Sequence, residues 1–155
     1  MIDKLSRVFC IVSAEDKFEA IDEIIGKCSI FSELPDKPRF IRAVHKRELQ
    51  QSTGIGHGVA IAHGKLSNVM KPAIALGFSE KGIIFDDRYP DPVKLVFVIA
   101  SSKHGDSDYL KAVASILTWV HDPDFRRILV EKNWEDEKAQ MFFSMLESQE
   151  FRPQY

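Results

Sequence analysis

The chain has 155 residues, of which 45% are hydrophobic and 10% aromatic, which is enough to build the core of one domain. Its 21 basic and 23 acidic residues are interspersed and give a net charge of −2, so no basic stripe is available for nucleic acid. Cys10 and Cys28 are too few for a disulfide framework. No apolar run approaches the ~18 residues of a membrane span, and we expect a cytoplasmic protein.

The first third of the chain predicts one strand and two amphipathic helices. Val8 to Val12 is an apolar run of strand length, and Ser13 is placed to cap the helix that follows. Asp36 caps the second helix, which tolerates Pro38 in its first turn and ends near Leu49. The apolar residues at helical spacing in the first of these helices are Phe18, Ile21, Ile24, Ile25 and Cys28.

The next stretch carries three glycines, at positions 54, 56 and 58, before the short apolar strand Val59 to Ile61. We expect His63 at the point where this strand gives way to a loop, exposed but held by a rigid element. A dinucleotide-binding loop is excluded because its glycines link a strand to a helix, whereas these glycines precede a strand. His57 and His63 cannot share a metal ion, because six extended residues separate them by roughly 20 Å.

The middle of the chain predicts a hairpin followed by the main strand of the sheet. Pro72 to Phe78 is a strand, the polar Ser79 to Gly82 is a turn, and Ile83 to Phe85 is the returning strand. After the loop Asp86 to Pro92, the run Val93 to Ala100 is nearly all apolar. Such a strand is typically central and covered on both faces.

A polar loop at 101–107, which contains His104, then leads into a helix capped by Asp106 or Ser107. Tyr109 lies in the first turn of this helix. The residues that we predict on its buried face are Leu110, Val113, Ile116, Leu117 and Val120.

Two further helices follow, the first starting at Asp122-Pro123 and the second capped by Asn133. The order of elements predicts an α/β fold with a mixed sheet of about five strands and helices on both faces. No repeat and no long linker divides the chain, so we expect one domain over residues 1–155.

The run from Arg47 to Gly64 closely resembles the signature of one enzyme IIA family of the phosphotransferase system (PTS), the fructose, mannitol and nitrogen-regulatory type. The pattern of that family is Ser-Thr-Gly-Ile-Gly-x-Gly-Ile-Ala-Ile-Pro-His-Gly. This chain has Ser-Thr-Gly-Ile-Gly-His-Gly-Val-Ala-Ile-Ala-His-Gly, and weaker similarity extends over nearly its whole length. The resemblance implies that residues 1–155 form one enzyme IIA domain and that His63 accepts a phosphoryl group.

The resemblance also implies which groups surround the phosphoryl group, with no metal and no organic cofactor among them. Arg47 would present its guanidinium fork to the phosphoryl oxygens, and the backbone amides around Gly64 would donate hydrogen bonds. Taken alone, Arg47 is typical of a solvated helix face, and its functional interpretation depends on the family pattern.

Two positions depart from that pattern. Ala62 replaces the proline before the active histidine, and alanine can adopt the same backbone conformation. Tyr109 stands where the family has a second histidine, just before a leucine in the first turn of the helix. A phenol can donate one hydrogen bond to a phosphoryl oxygen but cannot carry the charge of an imidazole. His104, five residues earlier, is the alternative donor.

By resemblance, the chain is a phosphohistidine carrier that receives its phosphoryl group from an HPr-type protein. It would pass the group to an enzyme IIB or keep it as a regulatory mark. The alternative is a diverged binding module that is phosphorylated weakly or not at all and regulates a protein target by contact. Tyr109 favours the alternative, whereas the presence of both Arg47 and His63 favours the carrier.

Overall fold

Five strands and five α-helices make up the fold over residues 2–105 and 107–151, the part of the chain that the computed structural model describes. Two short 3-10 helices, Ile2–Leu5 and Ser29–Glu33, accompany them. In chain order the elements are β1 (Phe9–Val12), α1 (Lys17–Lys27), α2 (Lys37–Gln50), β2 (Gly54–Gly56), β3 (Val59–Leu66), β4 (Ala73–Ile83), β5 (Val93–Ser102), α3 (Ser107–Val120), α4 (Pro123–Val130) and α5 (Glu137–Ser148).

The strands form one mixed sheet in the order β1-β4-β5-β3-β2. The pairs β1–β4 and β3–β5 are parallel, whereas β4–β5 and β2–β3 are antiparallel. β5 lies in the middle of the sheet. Of its ten residues, the seven from 95 to 101 are all buried. The predictions of a mixed five-stranded sheet and of a central strand at 93–100 are therefore confirmed.

The two faces of the sheet are covered by different helices. Gly77 of β4 faces α1, because a Cβ atom on Gly77 would lie 2.4 Å from the side chain of Ile24. On the other face, the ring of Phe97 in β5 contacts the ring of Phe142 in α5 at 6.1 Å between centroids. The helices α1 and α2 thus pack on one face and α3 to α5 on the other, which confirms the predicted α/β architecture.

Two helix starts differ from the sequence prediction. The cap of α1 is Asp16, whose carboxylate accepts two backbone N–H groups of the first turn, and not Ser13. Ser13 instead donates its own N–H and hydroxyl to Glu23. The cap of α5 is Asp136 and not Asn133, because the Asp136 carboxylate, three residues later, accepts a backbone N–H of the first turn. The predicted caps of α2 and α4, Asp36 and Asp122, are confirmed.

The predicted hairpin at residues 72–85 is wrong. β4 runs without reversal from Ala73 to Ile83, pairing with β1 through Ser79 and with β5 on its other edge. The polar segment at 79–82 forms an irregularity within the strand, where the Ser79 hydroxyl accepts the N–H of Gly82 and Gly82 has φ +84°. The fifth strand is instead β2, a glycine-rich segment for which the sequence predicted no strand.

The buried face of α3 is rotated from the predicted one. Leu110 is 60% exposed, and the buried residues of the helix are Ala112, Ser115, Ile116, Trp119 and Val120. Val113 and Leu117 pack against the edge of the core, as does Tyr109. The predicted cap Asp106 lies outside the described residues, as do residues 152–155.

The Glu23 carboxylate predicts an acid-dependent loss of stability. Its side chain is 14% exposed, and burial by itself would raise its pKa. Hydrogen bonds from Lys27 and from the backbone of Ala14 and Ser13 outweigh burial and hold the pKa at about 2. Because the folded protein lowers this pKa, the stabilisation is present above pH ~4.5 and is lost as the pH falls toward ~2.

We therefore expect Glu23→Gln to remove about 2 kcal/mol of unfolding free energy at pH 7 and much less near pH 2. Urea unfolding of both proteins at a series of pH values measures the difference. Parallel stability curves for Glu23→Gln and the parent over pH 2–7 would contradict the prediction.

Candidate functional site

His63 lies inside a strand and not at its end, which corrects the sequence prediction. β3 continues to Leu66, and His63 pairs in register with Ile99 of the parallel strand β5. Both strands end within a few residues of this point, and α3 starts after β5. The site therefore occupies the edge where the carboxyl ends of parallel strands meet, the usual place for ligands in α/β sheets.

The glycine-rich stretch makes the tight turn that starts β3. Gly56, His57 and Gly58 all have positive φ, at 90°, 57° and 76°, and they connect β2 to β3. Two of these three positions are glycines, which adopt such angles without strain. The glycines thus shape the beginning of the strand, and His57 lies in this turn, away from His63.

Gly64 fixes the strand against α2. A Cβ atom on Gly64 would lie 2.8 Å from Cγ2 of Val44, 3.1 Å from Cε1 of Phe40 and 3.1 Å from the backbone nitrogen of Val44. Because side chains alternate along a strand, His63 then points to the opposite face of the sheet, toward α3. β2 pairs with β3 only as far as Ala60, so no described strand covers the other edge of β3 at Gly64.

Two described contacts on the α3 face hold the imidazole ring of His63. Its Nε2 atom lies 2.7 Å from the hydroxyl oxygen of Ser101 at the end of β5. Its face stacks on the ring of Tyr109 in the first turn of α3, with centroids 4.1 Å apart and planes 8° from parallel. The ring is half-buried, and its orientation is set by β5 and α3 together.

An open cleft of about 180 Å³ lies beside this ring pair. Ser101 and Tyr109 line it, together with His104, Lys71 and Met70. His104 is exposed, and its backbone N–H donates to the hydroxyl of Ser102. The structure brings His104 to the same cleft as Tyr109, although no described hydrogen bond or ring contact joins it to His63.

Arg47 is not joined to His63 by any described contact. It lies in the last turn of α2, which packs on the face of the sheet opposite to the His63 ring. Its Nη1 atom donates to the carbonyl oxygen of Gln51 at 2.8 Å and so satisfies the end of its own helix. Of the predicted site residues, Tyr109 and His104 therefore line one cleft. His63 stacks on Tyr109 beside it, with Gly64 adjacent in β3.

Ser101 is the residue of this site that the sequence analysis missed. It is the first polar residue after an unbroken apolar run, which signalled only the end of the strand. Its position opposite Lys65 in the parallel ladder places its side chain on the same face as His63. That register follows from strand pairing, which the sequence pattern alone does not specify.

Comparison with known proteins identifies the family. The profile described as "Phosphoenolpyruvate-dependent sugar phosphotransferase system, EIIA 2" matches residues 2–145. The chain is 34% identical over 125 residues to the "PTS system fructose-specific EIIABC component" of Bacillus subtilis, which covers 81% of this chain. This chain spans only about a fifth of that relative, since the match covers 20% of its length.

Two solved structures share the fold. The nitrogen regulatory protein IIA-Ntr of Neisseria meningitidis superposes with a TM-score of 0.74 at 22% identity, covering 92% of this chain and 94% of that one. Enzyme IIA of the mannitol system of Escherichia coli, solved in complex with phosphorylated enzyme IIB, gives a TM-score of 0.70 at 18% identity. That match covers 89% of this chain and 93% of the other.

The chain therefore belongs to the EIIA 2 family of the phosphoenolpyruvate-dependent sugar phosphotransferase system. Membership supports a phosphocarrier role and confirms the resemblance carried by the run from Arg47 to Gly64. Among residues 2–105 and 107–151, no helix has both the length and the apolar character needed to span a bilayer.

The packing of Gly64 predicts the effect of adding one methyl group there. Gly64→Ala would press its Cβ against Val44, including the backbone of α2, which cannot rotate away. We expect a loss of about 1–3 kcal/mol of unfolding free energy, as for other overpacked positions. Chemical denaturation measures it, and Gly105→Ala is the matched control, because nothing lies within 4 Å of a Cβ at Gly105. Equal stability of the two variants would refute the packing argument.

Proposed function

We propose that this chain is a phosphohistidine carrier and that His63 is the residue that holds the phosphoryl group. The observation that supports this most directly is the His63 ring itself, fixed by Tyr109 and Ser101 beside an open cleft at the strand ends. A carrier needs a nucleophile that is held firmly and can still be reached by a second protein.

The chemistry asks little of the protein besides positioning and charge stabilisation. The lone pair of an unprotonated nitrogen of His63 attacks the phosphorus of a donor phosphohistidine. A new P–N bond forms while the donor P–N bond breaks, and its electron pair returns to the donor nitrogen. One P–N bond replaces another, so the transfer between two histidines needs no net proton and no oxidant or metal.

Donors for the phosphoryl oxygens come from several elements in this proposal. The hydroxyl of Tyr109 and the ring of His104 lie at the cleft, and the backbone near Gly64 lies at the strand edge that β2 leaves uncovered. Arg47 contributes once its guanidinium leaves the carbonyl of Gln51, which its long side chain permits. These groups would offset the roughly two negative charges of the phosphoryl group.

The partners follow from the family. An HPr-type phosphocarrier would donate the group, and an enzyme IIB or a regulated protein would receive or sense it. The likeness to the mannitol enzyme IIA, which was solved with phosphorylated enzyme IIB, supports the second step. All of these partners are proteins, and we place the exchange in the cytoplasm.

The second candidate is a binding module that keeps the fold and regulates a target by contact. The observation that favours it is Tyr109, because a neutral phenol covers the face of the His63 ring where the family has a second imidazole. In this reading the same surface would recognise the target whether or not His63 carries a phosphoryl group.

Phosphorylation of His63 can be tested directly. Incubated with phosphoenolpyruvate, enzyme I and HPr, the parent should gain one acid-labile phosphoryl group, and mass spectrometry should map it to His63. The chain has four other histidines, at positions 45, 57, 104 and 121, which serve as internal controls. A group that persists in His63→Ala, or that maps to one of the other four, would rule out the assignment.

Tyr109 offers two things to the site, a ring that stacks on His63 and a hydroxyl that can donate a hydrogen bond, and one substitution separates them. Tyr109→Phe keeps the stacked ring and removes only the hydroxyl, so it tests the hydrogen bond to the phosphoryl group. The expected loss in transfer rate or in phosphoprotein lifetime is about 5- to 150-fold, the range for a hydrogen bond to a charged group. Tyr109→His should equal or exceed the parent, since an imidazole can donate with a charge.

His104→Ala is the companion variant for this experiment. A large effect at His104 with none at Tyr109 would assign the donor to the loop histidine. If neither variant changes a slow turnover of His63, the binding module becomes the better account of this protein.

A further inference from the structure

A buried hydroxyl faces one edge of the His63 ring. Ser101 is only 1% exposed, yet its Oγ atom lies 2.7 Å from Nε2 of His63. Ser101 also lines the cleft beside the ring. The Nε2 edge of the ring therefore faces a buried hydroxyl whose residue also lines the cleft.

Two described contacts restrict the ring in different ways. Stacking on Tyr109 fixes the plane of the His63 ring, which lies 8° from the plane of the tyrosine ring. Stacking does not decide between the two imidazole orientations that differ by a 180° flip of the ring. The hydrogen bond between Ser101 and Nε2 removes this choice, because a flipped ring would present a carbon to the hydroxyl in place of Nε2. Ser101 thus selects the ring orientation in which Nε2 faces its hydroxyl.

The chemistry of a hydroxyl suits a nitrogen that must be a nucleophile. A serine hydroxyl can donate its proton to an unprotonated Nε2, which keeps the other ring nitrogen as the N–H. A carboxylate in the same place would only accept, so it would favour a protonated Nε2 and would repel the phosphoryl group. Serine orients the ring without adding charge to the site.

We propose that Ser101 is a positioning residue of this carrier, whose hydroxyl donates to Nε2 of His63 in the resting protein and to a phosphoryl oxygen on Nε2 after transfer. Only the second part of this inference, donation to the phosphoryl group, rests on the proposed function. No covalent bond to Ser101 is made or broken. Its hydrogen bond moves from Nε2 to an oxygen of the phosphoryl group that Nε2 then carries.

The first experiment concerns the unphosphorylated protein and is independent of the transfer reaction. Long-range ¹H–¹⁵N spectra of the histidine rings report which nitrogen of His63 carries the proton. We expect the parent to show an unprotonated Nε2 and Ser101→Ala to shift toward the Nε2–H form that free histidine prefers. Ser102→Ala is the matched control, because the Ser102 hydroxyl accepts from the His104 N–H and has no described contact with His63.

The second experiment concerns the phosphorylated protein. Loss of one hydrogen bond to a charged group should shorten the lifetime of the phosphohistidine in Ser101→Ala by about 10-fold, with no change in Ser102→Ala. The lifetime is measured by the decay of the ³¹P signal after removal of the phosphoryl donor.

The outcomes separate the two proposals. If the parent takes no phosphoryl group, the proposed function fails, while the tautomer of His63 still decides whether Ser101 orients the ring. A tautomer that is the same in the parent and in Ser101→Ala would overturn the orienting role. A shifted tautomer with an unchanged phosphohistidine lifetime would overturn donation to the phosphoryl group.

Discussion

The position of the candidate site depends on one buried carboxylate, that of Glu48 at the end of α2. Only 2% of this residue is exposed, and its carboxylate accepts from the backbone N–H of Thr53 and forms an ion pair with Lys17 at 3.1 Å. Lys17 also donates to the carbonyl of Phe85. Since Thr53 in turn accepts the N–H of Ile61, this charge joins both N-terminal helices to the start of β3. Removing one member of such a pair leaves a buried charge without its partner, which is strongly destabilising.

Most of the architecture could be predicted from the sequence because its strands and helices carry strong periodic signals. The apolar run at 93–100 predicted the central strand, and the carboxylates Asp36 and Asp122 marked two helix starts. The two wrong helix starts lie where two polar residues could each cap the same helix, as Ser13 and Asp16 could at α1. The segment at 79–82 has the composition of a turn, but pairing on both sides of β4 keeps the chain extended.

The candidate site could be predicted only in part, for a similar reason. His63, Tyr109 and His104 stand out in the sequence through their motif or their place in an element. Ser101 does not, since its role arises from the parallel register of β3 and β5. Arg47 is the opposite case: it stands out through its place in the motif, but in this structure its guanidinium donates to the carbonyl of Gln51 at the end of its own helix. Contacts across the sheet and rotamers of long side chains lie beyond what spacing along one chain specifies.

The alternation of His63 and Gly64 along β3 divides the site between two faces of the sheet. Gly64 is tightly constrained by the backbone of α2, whereas the surroundings of the His63 ring come from the end of β5 and the first turn of α3. Substitutions in that first turn can therefore change the contacts of the His63 ring while the packing of Gly64 against α2 stays the same. Under the proposed function, this division would let phosphoryl transfer be tuned or lost through residues such as Tyr109 with little penalty in folding.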